Sequence, residues 1–308
     1  MVTLSKPIAR FALEQISSFS ASQLASHFPL NQVSRALCHR AVPHIVKLAW
    51  RSGRQEVNGI VMDIPTPPAW GGGGEFHMAL GTYEAAEMAF VLGRLAPGDT
   101  FLDVGAHIGY FTLPAAQRVG ASGRVIALEP SPASFELLKS NVRLNGFSCV
   151  TCLQAAASAH DGTATLTISS QSPMWNTLRG EALADTNATS IAVDTRSLDN
   201  IVADAGWPKI AGIKLDVEGA ESEVLQGATD TLMRNPNAFV MFEISGGSEG
   251  RIAASLKTLN WFEERGYRFR RLSRTGNGGL VTSSELAPLL RRREWYEYLM
   301  NVSAERQS

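Results

Sequence analysis

A chain of 308 residues, 44% of them hydrophobic, can bury one large α/β core and an accessory segment. Its formal net charge of −1 at pH 7 argues against a broad contact with phosphate backbones, so we expect no nucleic-acid partner. No apolar run reaches the roughly 18 residues of a transmembrane helix, and no secretory signal is visible at the N-terminus. We therefore expect a cytoplasmic chain without stable membrane insertion.

The N-terminal part of the chain is expected to form a helical cap. Residues 1 to about 52 have mixed helical periodicity, and a strand-like stretch follows from Val57 to Ile64. Pro65 to Gly74 is rich in proline and glycine, and Trp70 within it is a candidate cover for an apolar substrate. A plain surface connection explains this stretch equally well. The predicted division is a cap with a lid loop, residues 1–75, and a main domain, residues 76–308.

Strands and helices alternate in the main domain. A helix is expected from Thr82 to Leu95. Strands are expected at about residues 100–105, 124–129, 149–153, 210–216, 238–244 and 267–272. Short apolar runs separated by helices are typical of a parallel sheet covered on both faces. The predicted fold class is α/β, with a mostly parallel sheet and helices on both faces.

An insertion at residues 160–195 interrupts this alternation between the third and fourth strands of the predicted sheet. Residues 163–168 and 190–193 look like two additional strands that enclose a polar loop. The insertion lies near the edge where ligands of open parallel sheets bind. We expect it to shape a substrate site, with Trp175 and Asn176 as candidate contacts.

The junction after the first strand of the predicted sheet carries a cofactor signal. Asp103 ends an apolar strand, Gly105 follows, and Gly109 stands where a helix is expected to begin. Without a Cβ, Gly105 would let a ligand approach the backbone, and Gly109 would let the helix pack closely on the strand. An acid with G-x-x-x-G spacing suits a cofactor with a cationic amino-acid end better than a pyrophosphate. A tight turn without a ligand is the alternative.

The next two strand ends fit a nucleoside. Glu129 ends the second strand, about twenty residues after the glycine turn, and Pro130 terminates that strand because proline lacks a backbone N–H. A carboxylate there can accept hydrogen bonds from both ribose hydroxyls. The tip of the third strand, Gln154, Ala155 and Ala156, is where such folds place the adenine ring, and the alanines would give it room.

Three carboxylates follow the fourth and fifth strands of the predicted sheet. Asp216 and Glu243 end these strands, and Glu218 stands on the turn after Asp216. Converging carboxylates repel one another, so a divalent cation, a cationic ligand group or a shared proton must offset the repulsion. Asp216 could take the proton of a hydroxyl as a general base, or Asp216 and Glu243 could hold Mg²⁺. A structural helix cap is the alternative for Asp216.

Together these motifs resemble the FkbM family of S-adenosylmethionine-dependent methyltransferases over roughly the central half of the chain. The segments that carry the resemblance are Gly81–Glu84, Leu95–Asp99, Asp103–Gly109, Ala127–Pro130, Val193–Asp199, Ile213–Glu221 and Phe242–Glu243. The resemblance implies a class I methyltransferase fold, Rossmann-like, with S-adenosylmethionine as cofactor. It also implies methyl transfer to a hydroxyl of a small molecule such as a sugar, a glycolipid or a polyketide-like natural product.

The resemblance also implies roles for individual residues. It assigns the methionine end of the cofactor to Asp103, Gly105, Ala106, His107 and Gly109. Tyr83 and Glu84 would close over the cofactor's amino group or simply begin a helix. His107 departs from the family, which usually has Asn there; its side chain would cap the next helix, contact the methionine end or lie in the core.

Other functions require motifs that differ from those in this sequence. A nicotinamide-dependent reductase usually needs a Tyr-x-x-x-Lys pair, which the sequence lacks. A nucleic-acid or amine methyltransferase would need an Asp/Asn-Pro-Pro-aromatic motif where Asp216-Val217-Glu218-Gly219 stands. A non-catalytic cofactor-binding module of a biosynthetic complex stays open. The C-terminal segment Glu285–Val302 has helical spacing and is expected to pack on the sheet or on another subunit, as in a homo-oligomer.

Overall fold

A computed structural model describes residues 53–65, 77–79, 81, 83–170, 176–178, 187–246, 248–272, 279–291 and 299–306. The helical cap predicted for residues 1–52, and the candidate substrate contacts Trp70 and Trp175, fall outside these residues. The chain divides into two compact units, Met1–Tyr83 and Glu84–Ser308. The domain boundary predicted near residue 75 stays a prediction.

In the first unit, strands β1 (Gly53–Val57) and β2 (Ile60–Ile64) form an antiparallel hairpin. Asn58 and Gly59 connect them with φ angles of 51° and 80°, as a two-residue hairpin turn of type I′ requires. The stretch predicted to be strand-like over Val57–Ile64 is therefore confirmed for Val57 and Ile60–Ile64, but the Asn58-Gly59 turn divides it between two strands. The Asn-Gly pair is the sequence signal that reverses the chain at this point.

The second unit contains the remaining elements. Its strands are β3 (Thr100–Val104), β4 (Arg124–Leu128), β5 (Val150–Leu153), β6 (Ala156–Ala157), β7 (Gly162–Ile168), β8 (Thr189–Arg196), β9 (Ile210–Leu215), β10 (Phe239–Ser245), β11 (Tyr267–Arg271) and β12 (Leu299–Arg306). Its helices are α1 (Ala85–Arg94), α2 (Thr112–Val119), α3 (Pro132–Leu144), α4 (Leu198–Asp204), α5 (Glu221–Gln226), α6 (Thr229–Arg234), α7 (Glu249–Glu263) and α8 (Ser283–Leu290). Among the residues described, no helix has both the length and the apolar character needed to cross a membrane.

Within the described part of the chain, seven strands form the central sheet in the order β11-β12-β10-β9-β3-β4-β5. The strands from β10 to β5 run parallel to their neighbours, whereas β12 runs antiparallel to both β10 and β11. All five residues of β3 are buried, which requires cover on both faces of the sheet. This order, with β12 reversed, confirms the predicted class I methyltransferase fold. It also brings the carboxyl ends of β3, β4, β9 and β10 to one edge.

The C-terminal segment differs from its prediction. Helix α8 ends at Leu290, and Leu299–Arg306 forms strand β12 between β10 and β11. Leu286 and Leu290 are buried, as their helical spacing predicted. Val302 and Ala304 are also buried, and their spacing of two residues is that of a strand.

The predicted insertion is a small sheet of its own. Strands β7 and β8 pair antiparallel along their length, and the short strand β6 adds to β8 in parallel. The two additional strands predicted from the sequence are therefore confirmed, and β6 was not foreseen. Thr177 extends the hairpin through an isolated bridge to Thr167, which brings the described part of the polar loop back to β7.

Candidate functional site

The glycine turn after β3 folds over the end of β4. The backbone N–H groups of Gly105 and Ala106 both donate to the carbonyl oxygen of Leu128, at 3.0 and 2.8 Å. Gly105, His107 and Gly109 have φ angles of 81°, 51° and 95°. Alternate residues of the turn thus lie in the left-handed region, which glycine enters without steric cost.

Gly105 and Gly109 are needed because protein atoms crowd them. A Cβ on Gly105 would lie 1.8 Å from the carbonyl oxygen of Asp216, and one on Gly109 would lie 3.0 Å from Cδ1 of Leu138. The glycine at 105 therefore lets the ends of β3 and β9 approach. The approach of a ligand to its backbone stays a prediction. Gly109 permits close packing, but its partner is Leu138 in helix α3 and not the strand.

Asp103 is fully buried beneath this turn. Its Oδ2 accepts a hydrogen bond of 2.6 Å from Oγ1 of Thr112, and its Oδ1 has no hydrogen-bond partner among the described residues. Burial raises the pKa of Asp103, although the charge of Lys214, with Nζ 3.9 Å from Oδ1, and the bond from Thr112 oppose this. Thr112 was missed in the sequence, where a threonine at a helix start looks like an ordinary cap residue.

Glu129 connects the end of β4 to the glycine turn. Its Oε2 accepts the N–H of His107 at 2.8 Å, and its Oε1 accepts the N–H of Ser131 at 2.9 Å. Burial raises the pKa of Glu129 to about 7, even though both hydrogen bonds favour the ionised form. Each carboxylate oxygen can accept a second hydrogen bond, so the predicted contact with two ribose hydroxyls remains chemically available.

The imidazole ring of His107 is buried at the same turn. Both ring nitrogens are inaccessible to solvent and find no hydrogen-bond partner within the described part of the chain. Burial lowers the pKa of His107 to about 4, so the ring is neutral at pH 7. The predicted helix-capping role is therefore wrong, because the imidazole bonds to no helix N–H. Contact with the cofactor stays a prediction.

The residues predicted to contact the adenine ring and the amino group of the cofactor differ in burial and in position. Gln154 is exposed, Ala155 and Ala156 are buried, and Ala156 lies in β6. Tyr83 is the last residue of the first compact unit. Glu84 precedes α1 as its N-cap with a φ of 41° and without a side-chain capping bond.

The acids near the ends of β9 and β10 lie within electrostatic reach of one another. Asp216 directly follows β9, whereas Glu243, which was expected to end its strand, lies inside β10 and two residues before Ser245. Burial raises the pKa of Glu243 well above its usual value, and the charges of Glu218, Asp216, Glu221 and Glu84 raise it further. The sheet therefore brings together the three carboxylates predicted for catalysis, with two more glutamates around them. Asp216 keeps 30% of its side chain exposed and can meet a ligand.

Glu218 stands on a strained turn with a φ of 52°. Burial raises the pKa of Glu218 to about 8, and the charges of Asp216 and Glu221 add to this effect. Glu221, in the first turn of α5, closes the turn, since its Oε1 accepts the N–H groups of Val217 and Gly219 at 3.4 and 3.2 Å. Burial also raises the pKa of Glu221, to about 7. Glu221 thus stabilises the turn that carries Glu218.

A lysine supplies the positive charge that the cluster needs. Nζ of Lys214 donates a hydrogen bond of 3.0 Å to Oδ2 of Asp216, and the Lys214 side chain is 5% exposed. Among the described residues, no group of three His, Cys, Asp or Glu side chains is placed to hold a metal ion. An ammonium already occupies one oxygen of Asp216, so these residues do not fit the Mg²⁺ site predicted at Asp216 and Glu243.

The insertion contacts the turn that carries Glu218 (the acidic turn) through Thr177, a residue that the sequence did not indicate. Oγ1 of the buried Thr177 donates to the carbonyl oxygen of Glu218 at 3.0 Å. The neighbouring Asn176, a predicted substrate contact, uses its Oδ1 to accept the N–H of Ser169 at 3.0 Å. Asn176 therefore holds the loop, and its role towards a substrate stays a prediction.

Comparison with known proteins agrees with this geometry. The family described as Methyltransferase FkbM domain matches residues 103–269. Methyltransferase sdnD of Sordaria araneosa is 32% identical over 170 residues, which cover 45% of this chain and 65% of sdnD. Hexuronic acid methyltransferase AglP of Haloferax volcanii is 30% identical over 177 residues, 54% of this chain and 68% of AglP. A crystal structure of methyltransferase FkbM from Methylobacillus flagellatus KT has a TM-score of 0.44 and 16% identity, over 68% of this chain and 44% of that one.

The match to sdnD spans slightly less than two thirds of that relative's length. The family match is wider with respect to this chain, because residues 103–269 are more than half of the 308 residues. It runs from the glycine turn through Glu129 and the insertion to Asp216 after β9 and Glu243 in β10. This chain belongs to the FkbM methyltransferase family.

Proposed function

We propose that the chain is an S-adenosylmethionine-dependent O-methyltransferase that acts on a hydroxyl of a sugar, a glycolipid or a polyketide-like natural product. The observation that carries this proposal is the acidic cluster of Asp216, Glu218 and Glu243 beside the glycine turn. In open parallel sheets, ligands bind beyond the carboxyl ends of the strands. A cofactor over β3 and β4 and an acceptor over β9 and β10 would therefore meet at this edge.

The residues at the glycine turn fit the proposed cofactor. Oδ1 of Asp103 and both ring nitrogens of His107 are buried without partners among the described residues. Such groups are costly to leave unpaired, and an amino-acid end offers both donors and acceptors to them. Glu129 would accept the ribose hydroxyls. The other residues that we propose around the cofactor are Glu84, Gly105, Ala106, Gly109, Pro130, Gln154, Ala155 and Ala156.

When bound, S-adenosylmethionine supplies a methyl group on a positively charged sulfur. The task of the protein is to bring an acceptor oxygen into line and to remove its proton, because an alcohol is a weak nucleophile. We assign proton removal to Asp216, whose carboxylate is partly exposed. Glu218 and Glu243, which hold protons more readily because their pKa values are raised, would donate hydrogen bonds to the acceptor. No metal ion takes part in this scheme.

One relative supports the proposed class of acceptor. AglP is named as a hexuronic acid methyltransferase. The near-neutral net charge of the chain does not favour a nucleic-acid acceptor. A sugar or a related hydroxylated small molecule is therefore the acceptor class that we propose to test first.

The test combines calorimetry with transfer of a labelled methyl group to a panel of hydroxylated acceptors. We expect the wild-type protein to bind S-adenosylmethionine and to methylate at least one acceptor. Asp216→Asn should bind the cofactor with unchanged affinity and lose most of the turnover, by roughly a hundredfold or more. Cofactor binding without transfer by the wild type would favour a non-catalytic module. Normal turnover of the variant would make Asp216 structural.

Glu129→Gln tests the cofactor site by itself. The variant should weaken S-adenosylmethionine binding by roughly tenfold to a hundredfold, or about 1–3 kcal/mol, because one acceptor oxygen is lost in a buried place. Asp161→Asn is a matched control, since Asp161 also accepts a backbone N–H, from Ser197 at 2.8 Å, but lies outside the proposed cofactor site. A folded Glu129→Gln protein with wild-type affinity would contradict the ribose role.

A further inference from the structure

Lys214 lies between the cofactor side and the acceptor side of the proposed site. In the sheet it pairs in register with Asp103 of the neighbouring strand β3. It stands two residues before Asp216 on β9, so both side chains point to the same face. Only 4% of Lys214 is exposed, and its ammonium reaches the turn where both strands end.

The contacts of the ammonium are unequal. Nζ lies 3.0 Å from Oδ2 of Asp216, 3.5 Å from the carbonyl oxygen of Gly105 and 3.9 Å from Oδ1 of Asp103. The ring of Phe111, with its centroid 5.2 Å away, flanks it on another side. The shortest hydrogen bond is therefore the one to Asp216. An ammonium has three donors and an ionised carboxylate only accepts, so the bond from Lys214 to Asp216 is a charge-assisted one.

Lys214 keeps its positive charge although its side chain is buried. Burial lowers the pKa of Lys214, but Asp216, Asp103 and Glu84 raise it, and the net result lies above its ordinary value. Asp216 is also close to Glu218 and Glu243, so Lys214 is the cation that offsets the repulsion between these carboxyl groups.

We propose that Lys214 is a positioning residue of the reaction: its ammonium fixes the orientation and the negative charge of Asp216 at the edge where the acceptor binds. The inference rests on the proposed function, because it assumes that Asp216 receives a proton. Lys214 acts through Asp216 and does not itself contact the acceptor. The cofactor side depends on it less, since Asp103 keeps its hydrogen bond from Thr112.

Several other charged or titratable groups act on this pair of residues. They come from β3, the glycine turn, β4, the turn after β9, and helices and strands packed around it: Asp103, His107, Glu129, Glu218, Glu221, Glu243, Glu84 and, through Glu218, Arg251. Most are acids, so removal of the lysine leaves Asp216 in an excess of negative charge.

The first experiment compares Lys214→Met with Lys214→Arg, which keeps the charge. In Lys214→Met we expect the acid side of the pH profile of kcat to move to higher pH. At pH 7, kcat should fall by roughly tenfold to a hundredfold, as it does when that side of the profile lies one to two pH units above 7. The activity should return as the pH is raised towards 9, and Lys214→Arg should retain more of it. A fall by the same factor at every pH, in a folded protein that binds the cofactor normally, would overturn the proposal.

A second comparison does not depend on whether Lys214→Met folds, because it uses Asp216→Asn and a double variant. The double variant Lys214→Met/Asp216→Asn removes both charges, so no buried charge is left unpaired. If Lys214 acts through Asp216, the double variant should have the same residual single-turnover rate as Asp216→Asn alone. A further loss of tenfold or so, as independent roles predict, would overturn the proposal.

The wild-type protein, measured in parallel, separates the two hypotheses. If it binds S-adenosylmethionine but methylates no hydroxyl acceptor, the proposed function fails. If it does methylate an acceptor and Lys214→Met is equally active across the pH range, only the role of Lys214 fails.

Discussion

Individual residues at the glycine turn combine structure and chemistry in the same few atoms. Gly105 is required because the carbonyl oxygen of Asp216 lies where its Cβ would be. Glu129 accepts the N–H of His107 and so fixes the turn before any ribose binds. The N–H of Asp216 in turn donates to the carbonyl oxygen of Val104 at 3.0 Å. A change at one residue of the turn will therefore move the neighbouring site residues as well.

Gly105→Ala measures this coupling between neighbouring strand ends. The added Cβ would lie 1.8 Å from a backbone oxygen in a residue with a φ of 81°. We expect the free energy of unfolding to fall by roughly 3 kcal/mol or more, because both strain and overlap contribute. Gly146→Ala is the control: Gly146 has a φ of 65° and open space around it, so backbone strain alone should cost about 1 kcal/mol. Equal losses in denaturant unfolding would mean that Asp216 can move aside.

Among the elements, the insertion is the one most directly linked to the acids. Its two long strands pair from Gly162 to Ile168, and Thr177 then bonds to the turn that carries Glu218. Glu218 has a left-handed backbone, a conformation that costs about 1–3 kcal/mol for a residue with a Cβ unless its surroundings hold it. We infer that the hairpin helps to hold this turn, and that the insertion acts on the acceptor side of the site.

Thr177→Val removes the hydroxyl and keeps the side-chain shape. Without the hydrogen bond to Glu218, we expect KM for the acceptor to rise or kcat to fall by roughly threefold to tenfold, the value of one hydrogen bond. Cofactor affinity should not change, because the cofactor side of the site is on other strands. Thr165→Val, an exposed change on the same hairpin, is the control. Equal kinetics for both variants would show that the insertion does not control the acidic turn.

Sequence periodicity predicted the parallel strands of the sheet but not strand β12. Leu286 and Leu290 follow a helical period, and the same apolar density continues to Val302, so the helix was predicted to run on. The strand at Leu299–Arg306 is determined by the gap between β10 and β11, which the sequence does not display. Strand β6 has two residues, too few for any period.

Site residues were predicted where a residue type sits at a strand end, and missed where a long-range contact defines them. Asp216 directly follows β9 and Glu243 lies near the end of β10, so topology alone brings them towards one edge. The bond from Thr177 joins residues 41 positions apart, and the bond from Thr112 reaches back to Asp103 across the glycine turn. Serine and threonine are common in loops and at helix starts for local reasons. Their type therefore carried no signal for these contacts.

At the scale of the whole molecule, the site concentrates carboxyl groups that are costly to ionise. Burial raises the pKa of Glu129 and Glu221 to about 7 and that of Glu218 to about 8. Ionisation of such a buried carboxyl group lowers the free energy of unfolding, because burial disfavours the charged form. Functional sites often contain titratable groups whose pKa values differ from the ordinary ones. The protein thus carries an acid-rich edge that a cationic cofactor and Lys214 would neutralise.

The cofactor-free protein should therefore lose stability as the pH rises from 6.5 to 8. In this range the folded state keeps protons on Glu129, Glu218 and Glu221 that the unfolded state has already released, so the free energy of unfolding falls with pH. His107, whose pKa is lowered to about 4, has the opposite effect, but mainly below its unfolded pKa near 6.5. Each proton difference corresponds to about 1.4 kcal/mol per pH unit, so we expect a total loss of roughly 1–3 kcal/mol. Glu221→Gln should flatten the slope in denaturant titrations, whereas Glu136→Gln, an exposed change on α3, should not; a slope that rises with pH in the wild type would contradict the prediction.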